Sequence, residues 1–259
     1  MTESSQKSTL FDEIKSLLVV VAIAMAIRIL IIELFFVPTG SMKLTILEGD
    51  YIFATKYSYG YSKYSIPWSP NLFSGRIFSN SPERGDIIIL KPPHDIEKDR
   101  YIKRLIGLPG DVIKIIDDVL YINNVPVTRQ EVGEFADEWG KIYIKYKETL
   151  PNGVSYFSYK VKRMNLMYDT HSNYEPITVP QGHYFFMGDN RDESGDSRAQ
   201  LGMVPFENLI AKAQFILFST KEFLFIDNIS VTDQILRVWT WLSEIRFNRT
   251  CASLYIQND

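Results

Sequence analysis

From Leu17 to Val37 every position is apolar except Arg28 and Glu33. A helix over this run, rising 1.5 Å per residue, spans about 30 Å, the thickness of a bilayer core. Leu17–Ile27 alone is too short, so the predicted span takes in Ile29–Ile32 and Leu34–Val37. Arg28 and Glu33 then fall near the far membrane surface, where a long arginine side chain can reach the interface. The run continues into Phe35-Phe36-Val37-Pro38 without the small-x-small site of a cleaved leader. The expectation is a retained single-pass anchor over 14–37 after a polar tail over 1–13; a buried core helix is the competing reading. Lys7 and Lys15 are the only basic residues before the run, so orientation is weakly signalled. A large following domain crosses a membrane whatever its charge.

Beyond Pro38 the period changes from helical to two. Tyr51–Ala54, Asp86–Leu90, Val112–Ile116, Val119–Ile122, Tyr184–Met187 and Ala213–Phe218 are β-branched and aromatic runs. Pro109-Gly110-Asp111, Asn123-Asn124, Pro151-Asn152-Gly153 and Pro180-Gln181-Gly182 punctuate them as turns. The spacing predicts a mainly β, antiparallel catalytic domain over 38–122 and 179–228, without βαβ units. Residues 123–178, rich in Lys, Glu and Tyr, read as an inserted β lobe. Residues 57–82 show no strand pattern; a surface loop and an aromatic hairpin at a membrane interface are both open. In the C-terminal segment, 229–259, residues 229–249 read as an amphipathic helix. Ile235, Val238, Trp239, Leu242 and Ile245 lie on one side, facing either the domain or lipid.

Composition narrows the function. The chain of 259 residues is 46% apolar and 14% aromatic, with a formal charge of -3 and no basic stripe, which speaks against nucleic-acid binding. Cys251 is the only cysteine, so there is neither an internal disulfide nor a cysteine pair for zinc. His94, His171 and His183 lie far apart and form no H-E-x-x-H, so no metal or cofactor is expected.

Three segments concentrate chemistry. Pro38-Thr39-Gly40-Ser41-Met42 places a serine directly after the apolar run. Tyr101-Ile102-Lys103-Arg104-Leu105-Ile106-Gly107-Leu108-Pro109-Gly110-Asp111 reads as a strand closed by a turn, with Lys103 and Arg104 on opposite faces and one of them inward. A buried lysine loses affinity for its proton and becomes a candidate base; an exposed lysine is the plain alternative. Gly188-Asp189-Asn190-Arg191-Asp192-Glu193-Ser194-Gly195-Asp196-Ser197-Arg198 is either a solvated loop or a network of charge-assisted hydrogen bonds.

These segments, in this order after an N-terminal apolar run, resemble the motif boxes of bacterial type I signal peptidases, serine–lysine proteases of the membrane. Gly85-Asp86-Ile87-Ile88-Ile89-Leu90 resembles a further strand box. The chain departs from the family at Leu44, where a proline is usual.

The resemblance implies Ser41 as nucleophile and Lys103 as general base. It further implies an oxyanion hole from the Ser41 N–H and the Thr39 hydroxyl, and Ser194 as the residue orienting the lysine amine. Asp189, Arg191, Asp196 and Arg198 would be scaffold, with Asp196 and Arg198 paired and Arg104 joining them. Val37, Met42 and Tyr101 would line a shallow substrate pocket. The implied substrates are exported preproteins carrying signal peptides, cut at the lipid bilayer. The implied location is the bacterial inner membrane, with the catalytic domain on the periplasmic side.

Other readings are a non-catalytic anchored β domain, a self-cleaving repressor-type protease, and a hydrolase using His183 or His94. The spacing of Ser4 and Lys7 lies in the polar tail.

Overall fold

Runs of β-branched and aromatic side chains fit a pleated, half-buried surface, and most of this chain folds into antiparallel ladders. The computed structural model describes residues 10–94, 100–137, 140–162, 172–221 and 243–256. One helix, α1 (Leu10–Leu30), comes first. There follow β1 (Ile32–Phe36), β2 (Asp50–Thr55), β3 (Ile87–Leu90), β4 (Tyr101–Gly107), β5 (Val112–Ile116), β6 (Val119–Ile122) and β7 (Val125–Pro126). The chain continues through β8 (Thr128–Ala136), β9 (Ile142–Thr149), β10 (Ser155–Val161), β11 (Tyr174–Thr178), β12 (His183–Met187), β13 (Val204–Pro205), β14 (Leu209–Ser219) and β15 (Ala252–Ser253).

The main sheet runs β1-β2-β14-β3-β4-β12-β13, with β15 on β14. A second sheet runs β11-β5-β6-β7 and a third β10-β9-β8. The third sheet lies within the stretch read as an inserted lobe, but β7 and β11, also in that stretch, belong to the second sheet. The expected boundary at 122/123 falls inside the second sheet, between β6 and β7.

The helix expected over 14–37 instead starts at Leu10 and stops short. It ends at Leu30, and Ile32–Phe36 pairs along its whole length with β2, from Ile32↔Thr55 to Phe36↔Tyr51. Glu33 explains the break. It is 8% exposed and bonded to Lys56 (2.9 Å) and Arg100, partners that a lipid-embedded helix would not offer. Among the described residues no helix is long and apolar enough to cross a membrane. Asp12, Glu13 and Lys15 charge the start of α1 and Arg28 its end, leaving Ser16–Ile27, about 18 Å, uncharged. From Phe11 to Arg28 the helix is exposed on every side.

Residues 57–82 form an irregular loop with one 3-10 turn, Lys63–Ser65, and a single bridge, Tyr61↔Ile77. Tyr59 and Tyr64 are buried, whereas Trp68, Leu72 and Phe78 stand in solvent. Of the helix expected over 229–249, residues 229–242 lie outside the described residues. In the remainder, Ile245 bridges to Thr220 and Phe247–Arg249 form a 3-10 turn.

The core under the serine turn joins Val37, Met42 and Ile46 to Ile87, Ile89, Ile102 and Ile210. Just beyond the turn, Leu44 takes φ of +80°, a conformation that favours glycine. Proline, fixed near φ −65°, cannot adopt it, so the loop follows a path closed to the usual family residue. We expect Leu44→Pro to lower stability by about 3 kcal/mol. Leu44→Gly should stay within about 1 kcal/mol, because relieved strain offsets lost packing. Thermal unfolding in detergent reads both; a Leu44→Pro protein as stable as wild type contradicts the assignment.

Candidate active site

Ser41 sits in a 3-10 turn, Gly40–Met42, closed by the Lys43 N–H donating to Gly40 O at 2.9 Å. The opening N–H groups of such a turn, that of Ser41 among them, have no acceptor within it. Thr39 precedes the turn in extended conformation and is exposed. Burial of Met42 beneath the turn fixes it to the main sheet.

Lys103 comes from β4. Its amine donates to Ser41 Oγ at 2.6 Å and to Ile102 O at 3.1 Å, and lies 5.2 Å from the centre of the Tyr101 ring. Strand alternation does send Lys103 and Arg104 to opposite faces. Both are nevertheless buried, at 4% and 1% exposure, not one inward and one outward. The reason is that β4 is covered on both faces, every residue from Ile102 to Gly107 being buried.

Burial holds the Lys103 pKa down to about 8, and the nearby carboxylates of Asp196 and Asp189 oppose this only in part. Both acids are already matched. Asp189 takes a two-pronged bond from Arg104, at 2.8 and 2.7 Å, and Asp196 takes one from Arg198, at 2.9 and 2.7 Å. Arg198 draws the Asp196 carboxyl below its ordinary value despite burial. With these charges paired, desolvation decides the state of the lysine.

The polar run 188–198 is a clamp and not a solvated loop. Asn190 donates its backbone N–H to Ser41 O and its side-chain amide to Gly40 O, both at 3.2 Å. Thr45 Oγ1 donates to Asp189 at 2.7 Å, so Asp189 joins the serine loop to β4 through Arg104. Asp196 accepts the Gly188 N–H at 2.9 Å. A β-carbon at Gly188 would stand 2.2 Å from Ser194 Oγ and 2.5 Å from Ser41 O, which is why glycine is needed there. Arg191 reaches away to Glu148 of β9, at 2.5 Å, and Tyr159 of β10 exchanges backbone bonds with Asp189 and Arg191.

Ser194 is buried at the same place, but among the described residues its hydroxyl has no partner, and the expected bond to the Lys103 amine is not made. Of the expected pocket residues, Tyr101 faces the cleft. Val37 and Met42 do not line the cleft; both are wholly buried in the core cluster beneath the serine turn.

The cleft holds about 740 Å³ and is walled by Phe35, Pro38, Ile102 and Tyr101 beside Thr39, Ser41 and Lys103. Its polar rim comes from Lys43, Asp137, Lys141, Tyr143 and Glu193, joined by the pairs Lys43–Asp137 (2.9 Å) and Lys141–Glu193. The rim was not foreseen; no local pattern announces that the tip of a distant hairpin lands here. Asn190 and Thr45 were missed although both lie in or beside the boxes. His183 bonds to Gln181 O at 3.0 Å in its own turn, and neither it nor His94 lines the cleft. Among the described residues no three His, Cys, Asp or Glu side chains gather as metal ligands would.

The profile of the family described as signal peptidase, peptidase S26, matches residues 10–218. Signal peptidase I of Rickettsia bellii (strain OSU 85-389) is 56% identical over 262 residues, covering 100% of this chain and 90% of its own. That of Rickettsia massiliae (strain Mtu5) is 55% identical over 258 residues, covering 98% and 97%. A crystal structure of a signal peptidase I from Enterococcus faecalis V583 matches at 28% identity and a TM-score of 0.32, over 51% of this chain and 97% of that one. With a family match over most of its length and relatives identical at more than half of their positions, the chain belongs to the signal peptidase I family, the S26 serine endopeptidases.

Proposed function

We propose that the protein removes N-terminal signal peptides from exported preproteins at the membrane surface, with Ser41 as nucleophile and Lys103 as general base. The observation that carries this reading is a desolvated amine 2.6 Å from a serine hydroxyl at the floor of a cleft.

Serine attacks poorly unless a neighbouring base takes its proton. The neutral Lys103 amine accepts the Ser41 proton as Oγ adds to the scissile carbonyl. The resulting oxyanion is met by the Ser41 N–H and the Thr39 hydroxyl. Lys103 then hands its proton to the departing amine, leaving an acyl ester on Ser41. Water, deprotonated by the same amine, adds to that ester and frees Oγ. Ser194 is buried near the Ser41 backbone with a hydroxyl that has no partner among the described residues, and its role is to orient the amine once substrate closes the cleft. Asp189, Arg104, Asp196, Arg198 and Arg191 act as scaffold. Tyr101, with Phe35 and Ile102, limits the size of the side chains before the cut.

We place the membrane attachment in α1. Its apolar surface from Leu17 to Ile27 is uncovered on all sides, which water would oppose and lipid would not. Lys15 and Arg28 bracket this surface and have stems long enough to reach the headgroups. The catalytic domain stands on the outer side of the bacterial inner membrane, where exported chains emerge.

Ser41→Ala and Lys103→Met should each lower preprotein cleavage in detergent by about 10³-fold or more while leaving the fold intact. Full activity in either removes the catalytic assignment. For wild type, kcat/KM should rise about tenfold per pH unit below the Lys103 pKa of about 8, because the protonated amine cannot act as base, and level off above it. A profile flat between pH 6 and pH 9 contradicts a lysine base. Full-length protein should float with phospholipid vesicles after an alkaline wash. Val20→Asp, placing a charge in mid-helix at a cost of about 3 kcal/mol, should release it. Vesicle binding unchanged by this charge contradicts insertion of α1.

A further inference from the structure

The last carbonyls of a helix have no partner inside it. At the end of α1 two of them, and the carbonyl of Ile31 just beyond, are taken by one short segment. Lys56 Nζ donates to Arg28 O at 3.1 Å, the Tyr61 hydroxyl donates to Leu30 O, and the Lys56 backbone N–H donates to Ile31 O at 3.0 Å. Lys56 is 1% exposed, and its ammonium has three hydrogens with three acceptors. Besides Arg28 O these are Ser65 O, at 2.9 Å, and the buried Glu33 carboxylate, at 2.9 Å. A cation here also faces the negative end of the helix dipole.

One side chain therefore ties together the helix end, the first strand and the 57–82 loop. Ile31 alone separates α1 from β1. β1 is paired over its full length, and Val37 exchanges backbone bonds with Asp50 and Gly49 at 3.0 Å each. The path from the helix end to the serine turn is held almost throughout by hydrogen bonds, with β1 contributing about 17 Å of extended chain.

We propose that Lys56 is a positioning residue, the buried clamp that fixes the angle between α1 and the β domain and so sets the height of Ser41 above the bilayer. The inference rests on the reading of α1 as embedded in lipid. A preprotein held in the same bilayer presents its scissile bond at one height, and a nucleophile kept at that height meets it at high effective concentration. A short soluble peptide has no fixed height and does not need the clamp.

The test uses full-length protein in phospholipid vesicles, wild type and Lys56→Met, a variant of similar length in which Glu33 keeps Arg100. Two substrates carry the same cleavage sequence: a preprotein reconstituted in the same bilayer and a short soluble peptide. Lys56→Met should cleave the bilayer substrate at least tenfold more slowly, with peptide kcat/KM within twofold of wild type. Tyr61→Phe, which removes only the bond to Leu30 O, should shift the ratio the same way by about threefold. Spin labels at Ala22→Cys and Asn124→Cys, in a Cys251→Ser background, should give one narrow distance distribution that at least doubles in width with Lys56→Met. Equal losses on both substrates would make Lys56 a general support of the fold and overturn the proposal, as would an unchanged ratio with an unchanged distance distribution. If the lipid reading is wrong, wild type leaves the vesicles on flotation. If only the clamp is wrong, both proteins stay with the vesicles and treat the two substrates alike.

Discussion

A lysine amine gives up its proton near physiological pH, even in part, only where water is kept from it, and the rest of this structure serves that exclusion around Lys103. Strand β4 supplies the condition by being covered on both faces. Two acidic residues stand close enough to raise the lysine pKa and undo the effect of burial. Each is matched to its own arginine, Asp189 to Arg104 and Asp196 to Arg198, so the cost of burying the lysine charge prevails. A buried carboxylate left single here would restore the proton to the amine and silence it as a base.

The same pairs hold the geometry. Lys103 and Ser41 are 62 positions apart in sequence and meet because a third segment grips both of their elements. Asp189 holds β4 through Arg104 and the serine loop through Thr45, while Asn190 holds the carbonyls of Gly40 and Ser41. Behind it, Arg191 and Tyr159 lock the segment to the β8–β10 lobe. The lobe carries no reacting group, yet its hairpin also delivers Asp137, Lys141 and Tyr143 to the rim of the cleft.

Much of this is legible in the amino-acid order. Five of the six period-two runs give their strands, β2, β3, β5, β6 and β12, to within a residue or two, and the sixth lies inside β14; the three motif segments name the residues that meet. Less legible is whatever depends on what covers an element. Alternation separates Lys103 from Arg104 but cannot reveal that both sides of β4 are roofed. Hydropathy carries a helix through Val37, whereas Glu33 finds Lys56 and Arg100 and turns that stretch into a strand. Val37 and Met42 look like pocket residues beside a nucleophile, yet both pack into the core beneath the serine turn. Leu44 marks a departure in sequence whose meaning, a positive φ, is visible only in three dimensions.

The protonation of one amine can be read directly. Protein labelled with ¹³C at the lysine ε-carbons, titrated in detergent from pH 6 to pH 12 and compared with Lys103→Met, reports each lysine in turn. One resonance should move with a midpoint at about 8 and vanish in the variant. A Lys103 resonance that moves only with the ordinary lysines, near 10.5, would contradict the desolvated base on which the site depends.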